Sequence, residues 1–154
     1  LDALSVTGLT SPAGLSIYKN PAITSVTATA LQIVDANLYI QNNDSLTAFD
    51  LSSLESCDNL TLYSNPLLTS AAAAKLTNIT GKLKIEKNER LSELDLFLLE
   101  NVEETVRIKD NDLLPSCIIT ALLENIVVGQ TKTVSGNRED CTCNTDIPPV
   151  ASCG

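Results

Sequence analysis

The stretch that decides the fold begins at Leu15 and repeats a twelve-residue pattern five times. The asparagine that these copies share recurs at spacings of 23, 22, 23 and 23 residues. Five matches in one register indicate a repeat architecture. The common pattern is L-x-I-x-x-N-x-x-L-x-x-Φ, where Φ is apolar or small, and the copies are LSIYKNPAITSV from Leu15, LYIQNNDSLTAF from Leu38, LTLYSNPLLTSA from Leu60, LKIEKNERLSEL from Leu83 and VRIKDNDLLPSC from Val106.

The alternation in L-x-I predicts a short strand with one buried face. The asparagine marks a turn, and its amide can bond the backbone of that turn and of the neighbouring coil. One coil cannot bury its own apolar face, so stability must come from stacking. We therefore predict a mostly β fold, a solenoid of about six coils over residues 1–143, with a sixth strand at 132–137. The predicted asparagine ladder consists of Asn20, Asn43, Asn65, Asn88 and Asn111.

The C-terminal part of the chain departs from the repeat. Apolar residues at 118, 119, 122, 123 and 126 have helical spacing. Pro115 suits the start of a helix and Gly129 its end. We expect a capping helix over about 115–128 that covers the open end of the stack, because a bare last coil exposes core and strand edges. Residues 144–154 are predicted to form an irregular tail or linker.

Composition excludes several classes of partner. Ten basic and nineteen acidic residues give a net charge of −9, and such a field repels nucleic-acid phosphates. The chain contains no apolar run of 18 residues, so we expect no direct membrane insertion of this segment. The remaining partners are a protein or glycan ligand, or self-association.

The cysteines indicate an oxidising compartment and therefore an extracellular location, secreted or at the cell surface. Cys57 lies at an inward position, where a buried free thiol packs as a small hydrophobe. Cys117 is placed to bond Cys141 or Cys143, with Cys153 taking the other, and the sequence leaves that choice open. With no histidine and no C-x-x-C motif, we expect neither a metal site nor a cofactor.

Two columns of outward residues follow from the strand register, and together they contain all three tyrosines. Tyrosine offers contact area at low entropic cost, and arginine pairs with carboxylates, so this face is the candidate ligand-binding surface. The alternative is ordinary cross-strand packing on an exposed sheet. The candidate residues are Tyr18, Tyr39, Gln41, Tyr63, Lys84, Glu86, Arg107 and Lys109.

Three sequons begin at Asn43, Asn59 and Asn78, and only the last two are glycosylation candidates, because Asn43 belongs to the predicted ladder. A polysaccharide-active enzyme on a β-helix is a further alternative. Such an enzyme needs clustered carboxylates and a basic catalytic residue, and we find no convincing pair of carboxylates across coils. We therefore expect a non-catalytic protein.

The consensus L-x-I-x-x-N-x-x-L-x-x-L followed by L-x-x-L-x-x-V resembles the receptor L domain. Such domains form the ligand-binding lobes of insulin and epidermal growth factor receptors, with relatives among fungal cell-wall and bacterial surface proteins. The resemblance covers roughly residues 1–143. It implies a right-handed, leucine-rich-repeat-like β-helix outside the cell, and recognition or adhesion rather than catalysis. A structural component of a sheath, wall or filament is the alternative.

Overall fold

The computed structural model describes residues 3–5, 13–144, 146 and 149–154, and these residues form a β-solenoid of about six coils. One helix, α1 (Ser116–Glu124), lies near the C-terminus. The predicted mostly β solenoid with a C-terminal helix is confirmed.

Successive coils contribute to two parallel sheets. The smaller sheet has five strands in the order β1, β3, β5, β7, β10: Ala3–Ser5, Ser25–Thr27, Ala48–Asp50, Ser70–Ala72 and Glu93–Asp95. The larger sheet has nine strands: β2 (Leu15–Tyr18), β4 (Ile33–Gln41), β6 (Ser56–Tyr63), β8 (Asn78–Ile79), β9 (Leu83–Glu86), β11 (Asn101–Val102), β12 (Val106–Pro115), β13 (Val127–Val128) and β14 (Lys132–Arg138).

The core lies between the two sheets and consists of stacked aliphatic side chains. In the nine-stranded sheet, Leu38, Leu60, Leu83 and Val106 occupy one inward position in successive coils, and none is more than 1% exposed. Each such burial stabilises the fold by roughly 1.5–3 kcal/mol. The space between the sheets is similar in every coil, so aliphatic side chains of similar size are enough to fill the core.

The asparagine ladder is present, and its hydrogen bonds run in one direction. In Asn65, Oδ1 accepts from the backbone N–H of Asn43 at 3.2 Å and from its Nδ2 at 3.1 Å. Nδ2 of Asn65 donates to the Ile40 carbonyl at 3.0 Å. The same arrangement joins Asn88 to Asn111. Asn137 extends the ladder into the sixth coil, so each link ties one coil to the next.

The residue before every ladder asparagine has a positive φ. This left-handed conformation is unusual for side chains other than Gly, Asn and Asp. It turns the chain sharply enough to direct the asparagine inward. The six residues are Lys19 (52°), Asn42 (55°), Ser64 (53°), Lys87 (56°), Asp110 (55°) and Gly136 (65°).

The single 22-residue spacing is absorbed at a corner of the coil. Strands β4 and β6 pair Val34 with Cys57 and then Asn37 with Asn59, so the register shifts by one residue between these pairs. Pairing on both sides of the shift is regular. Unequal repeat lengths therefore leave the ladder undisturbed.

The helix is shorter than the predicted range of 115–128 and does not follow the last coil. Asn125 ends it, and Val127 then joins the nine-stranded sheet by donating its N–H to the Glu100 carbonyl at 2.9 Å. Strands β13 and β14 come after the helix and pair with β11 and β12. Along the chain, the helix therefore stands where earlier coils have a strand of the five-stranded sheet. Lys132, at the inward position next to Val106, donates to the carbonyls of Leu123 (2.9 Å) and Ile126 (3.4 Å) at the end of the helix.

Two disulfides fix the C-terminal region. Cys117 bonds Cys143, and Cys141 bonds Cys153, so all four candidate cysteines are paired. Strands β15 (Cys141–Cys143) and β16 (Ala151–Cys153) form an antiparallel pair in which Cys141 lies opposite Cys153. The expectation of a wholly irregular tail over 144–154 is therefore wrong for Ala151–Cys153. The cross-strand disulfide holds these short strands together.

Candidate ligand-binding face

The outward columns of the nine-stranded sheet lie in the predicted register. Pairing along the stack aligns Ser16, Tyr39, Thr61, Lys84 and Arg107 in the first column. The second column is Tyr18, Gln41, Tyr63, Glu86 and Lys109. The sixth coil extends the columns with Thr133 and Ser135. All eight candidate residues therefore share one surface.

The three tyrosines and Gln41 form what we call the tyrosine face. Tyr18 is 50% exposed, while Tyr39, Tyr63 and Gln41 are half-buried. Tyr18 and Tyr63 stand in one column two strands apart, which places their Cα atoms about 10 Å from each other. Tyr39 belongs to the strand between them, in the other column. The rings thus mark three corners of a flat patch.

The basic end of the surface is internally paired. Glu86 is only 5% exposed; its carboxylate accepts from Arg107 Nε and lies 3.3 Å from Lys84 Nζ. Lys84 Nζ also lies 4.3 Å from the ring centroid of Tyr63, and Lys87 Nζ lies 5.6 Å from it, in cation–π geometry. We call Lys84, Glu86 and Arg107 the Glu86 cluster. Its carboxylate is buried and stabilises the strands, so it is poorly placed for ligand contact.

Two residues at this end, Arg107 and Lys109, keep some capacity for external contact. Lys109 Nζ lies 3.9 Å from a carboxylate oxygen of Asp110, a long and weak pair. The Arg107 side chain is 54% exposed even though its Nε is engaged by Glu86. Sequence reasoning places both residues on the face, but it gives no signal of the pairing that occupies Arg107.

Lys19 and Lys87 were missed as neighbours of the tyrosines. Lys19 Nζ lies 5.0 Å from the Tyr18 ring centroid. Both lysines occupy the positive-φ position before a ladder asparagine, which explains why they approach the ring of the second column. The run Tyr18-Lys19-Asn20 carries this signal in the sequence for Lys19, whereas Lys87 precedes Asn88 and reaches Tyr63 from the next coil.

The glycosylation candidates lie at a different corner and are engaged. Asn59 Nδ2 donates to Asn37 Oδ1 at 2.8 Å and to Asp58 at 2.9 Å, and Asn59 Oδ1 accepts from the Lys82 N–H at 2.8 Å. Asn78 Oδ1 accepts from Asn101 Nδ2 at 3.0 Å. A glycan on Asn59 replaces one of the two Nδ2 hydrogens and would therefore remove one of these two donated hydrogen bonds. Glycosylation at either site stays a prediction.

Ionisation is clearly perturbed at two places outside the face. Burial, with a smaller contribution from Asp58, raises the pKa of the free, buried Cys57 thiol to about 12. The hydrogen bond from Arg138 lowers the pKa of Asp140, and the same bond raises the pKa of Arg138. An unreactive thiol and a surface ion pair are structural features rather than catalytic ones.

Within the described part of the chain, no three His, Cys, Asp or Glu side chains are grouped to hold a metal ion. No helix among those residues has the length and apolarity needed to cross a bilayer. No protein-family model, curated protein or solved structure matches this chain. The resemblance to receptor L domains therefore rests on the repeat pattern alone.

Proposed function

We propose that this chain is a non-catalytic recognition module that binds a glycan or protein ligand through the tyrosine face. The observation that carries the proposal is the alignment of all three tyrosines, with Gln41, on one outward surface of the nine-stranded sheet. Tyrosine combines a flat apolar ring with a hydroxyl and loses little entropy on binding. A rigid sheet holds such groups in fixed positions, which reduces the cost of association.

The electrostatics of the surface favour a neutral glycan over a charged ligand. Lys84 and Arg107 are already paired with Glu86, so an anionic ligand would have to compete with a buried carboxylate for them. Tyr18, Tyr39 and Gln41 make no such ion pairs and present hydrogen-bonding groups beside apolar rings. Neutral, hydroxyl-rich ligands match that chemistry.

Location and architecture support the same proposal. The two disulfides indicate an oxidising compartment, in keeping with a secreted or cell-surface protein. The resemblance to receptor L domains adds a recognition role. The sixth coil argues against end-to-end stacking as the main function, because Lys132 replaces the aliphatic residue that would pack against a further coil.

Binding to immobilised neutral polysaccharides (glucan, chitin and mannan) tests the proposal. The triple variant Tyr18→Ser, Tyr39→Ser, Tyr63→Ser should lose roughly 30-fold or more in affinity, since one tyrosine hot spot is worth about 2 kcal/mol. The matched control is Glu93→Ser with Asp95→Ser, which alters the outer surface of the other sheet. Circular dichroism checks that both variants fold. The proposed role of the face is wrong if the triple variant binds as the unaltered chain does, and the glycan assignment fails if that chain binds none of the three.

A further inference from the structure

A second candidate site, a groove beside the five-stranded sheet, is independent of the tyrosine face. A groove of about 660 Å³ separates strand β10 from the β15–β16 hairpin. Leu94 and Ile118 are buried in its floor, and Phe97 is half-buried there. Leu113 and Val150 are 42% and 64% exposed along its walls. Its size falls in the range of ligand-binding sites, roughly 300–1,000 Å³. We call it the β10 groove.

One side of the groove is a free strand edge. Strand β10 ends the five-stranded sheet, and among the described residues only β7 pairs with it. Its bonds to the preceding coil use the Glu93 N–H, which donates to Thr69 at 3.2 Å, and the Asp95 carbonyl, which accepts from Ala73 at 3.0 Å. Backbone groups of successive residues in a strand point to opposite edges. The N–H and carbonyl of Leu94 therefore point into the groove.

The edge is free because of the helix. In earlier coils a strand of the five-stranded sheet follows each ladder asparagine, as β10 follows Asn88. After Asn111 the chain enters α1, and β13 and β14 then return it to the other sheet. The place of the missing strand is left between β10 and the disulfide-bonded hairpin. A three-residue strand about 10 Å long fits such a place.

The rim of the groove is acidic. Glu93 is exposed, Asp95 is half-buried, and neither makes an ion pair with any residue that the structure describes. Arg138 on the opposite side is already bonded to Asp140 and to the Gly154 carbonyl. The site thus offers two carboxylates without a matching cation.

We infer that the β10 groove binds an extended basic peptide, which adds a parallel strand to the five-stranded sheet. The central peptide residue is apolar and β-branched, because its side chain continues the inward column above Leu94. The residues on either side are lysine or arginine, opposite Glu93 and Asp95. Leu94 supplies one donor and one acceptor to the peptide backbone, as in other cases of strand addition.

The probe is the fluorescent-labelled peptide acetyl-Thr-Lys-Val-Lys-Leu-amide, with valine opposite Leu94, and the assay is fluorescence anisotropy with the whole chain. We expect saturable binding with a Kd below about 1 mM. Exchange of both lysines for glutamate should abolish binding. N-methylation of the second lysine, whose N–H would donate to the Leu94 carbonyl, should weaken binding about tenfold. N-methylation of valine, whose N–H points away from β10, is the matched control and should change affinity less than threefold.

Protein variants locate the site. Glu93→Lys with Asp95→Lys should reduce affinity for the basic peptide at least tenfold and create affinity for the glutamate peptide. The triple tyrosine-to-serine variant should bind the basic peptide like the unaltered chain. The inference is overturned if the basic peptide fails to bind, if the two N-methylated peptides bind equally, or if the charge-reversed protein keeps its preference. None of these results bears on the tyrosine face, because the two sites share no residue.

Discussion

Replacing Asn65 by alanine should destabilise the solenoid far more than the same change at the end of the ladder. The fully buried Asn65 side chain makes two hydrogen bonds through Oδ1, to the Asn43 N–H and Nδ2, and two through Nδ2, to the Ile40 carbonyl and Asn88 Oδ1. Its loss leaves the buried Asn43 N–H without its acceptor, which costs about 1–3 kcal/mol, and weakens three other groups. The expected total is about 4 kcal/mol.

Asn20 provides the matched control, because it has the same place in the repeat but lies half-exposed. Its side chain donates to the Tyr18 carbonyl at 3.1 Å and to Asn43 Oδ1 at 3.5 Å, and water can replace it there. We expect Asn20→Ala to cost about 1 kcal/mol or less.

Urea unfolding with the disulfides intact measures both changes. With a slope of about 2 kcal/mol per molar urea, Asn65→Ala should lower the midpoint by about 2 M and Asn20→Ala by less than about 0.5 M. If the slope of unfolding free energy against urea concentration is the same for both variants and the unaltered chain, the changes in midpoint report changes in stability. The ladder would lose its assigned role if the two variants differed by less than about 1 kcal/mol.

Three further predictions concern the turn residues, the free thiol and the C-terminal ion pair. Ser64→Gly should raise the free energy of unfolding by up to about 1 kcal/mol, because glycine adopts a positive φ without strain. Gly136→Ala should lower the free energy of unfolding, because its new Cβ would lie 2.5 Å from an Asp110 oxygen. Urea unfolding in which both variants changed stability in the same direction would contradict this. Cys57, with its pKa raised to about 12, should resist iodoacetamide at pH 8 in the native chain and gain one adduct in denaturant, so rapid native alkylation by mass spectrometry would contradict its burial. Arg138→Ala should return the lowered pKa of Asp140 towards its usual value, which an NMR titration of the carboxyl group measures. In the unaltered chain, the contribution of this pair to stability is fully present above the ordinary aspartate pKa. It is lost as the pH falls through the lowered pKa of Asp140.

The sequence predicts the parts of the fold that repeat. Period and alternation together determine which side chains face inward, so the ladder, both outward columns and the sixth strand are confirmed. All four C-terminal cysteines form disulfides, as an oxidising compartment predicts. The structure pairs Cys117 with Cys143 and Cys141 with Cys153, a choice that the sequence leaves open. Cys57 is free and buried, as predicted.

The parts that could not be predicted depend on contacts between coils. The burial of Glu86 follows from Lys84 and Arg107 in flanking positions, and a column read from one strand at a time does not show it. The positive φ of Lys19 and Ser64 has no signature in those residue types, although Asn42, Asp110 and Gly136 at the equivalent places are residues that favour it. The end of the helix could not be predicted for the same reason. Residues 127–128 form a strand because the Val127 N–H donates to the carbonyl of Glu100 in the preceding coil.

The register shift between β4 and β6 determines how the length of this protein can change. The inner coils are bonded to one another through equivalent strand pairs, so a deletion of residues 66–88 would join Asn65 to Glu89 and give each flanking coil an equivalent neighbour. Pairing already shifts at the corners 34–37 and 111–115, so we expect these corners to accept the gain or loss of single residues. Such a chain can therefore diversify in two ways, by duplication of whole coils and by small insertions at corners. The segment that contains α1 is an example of a corner insertion, and it leaves the β10 groove beside it.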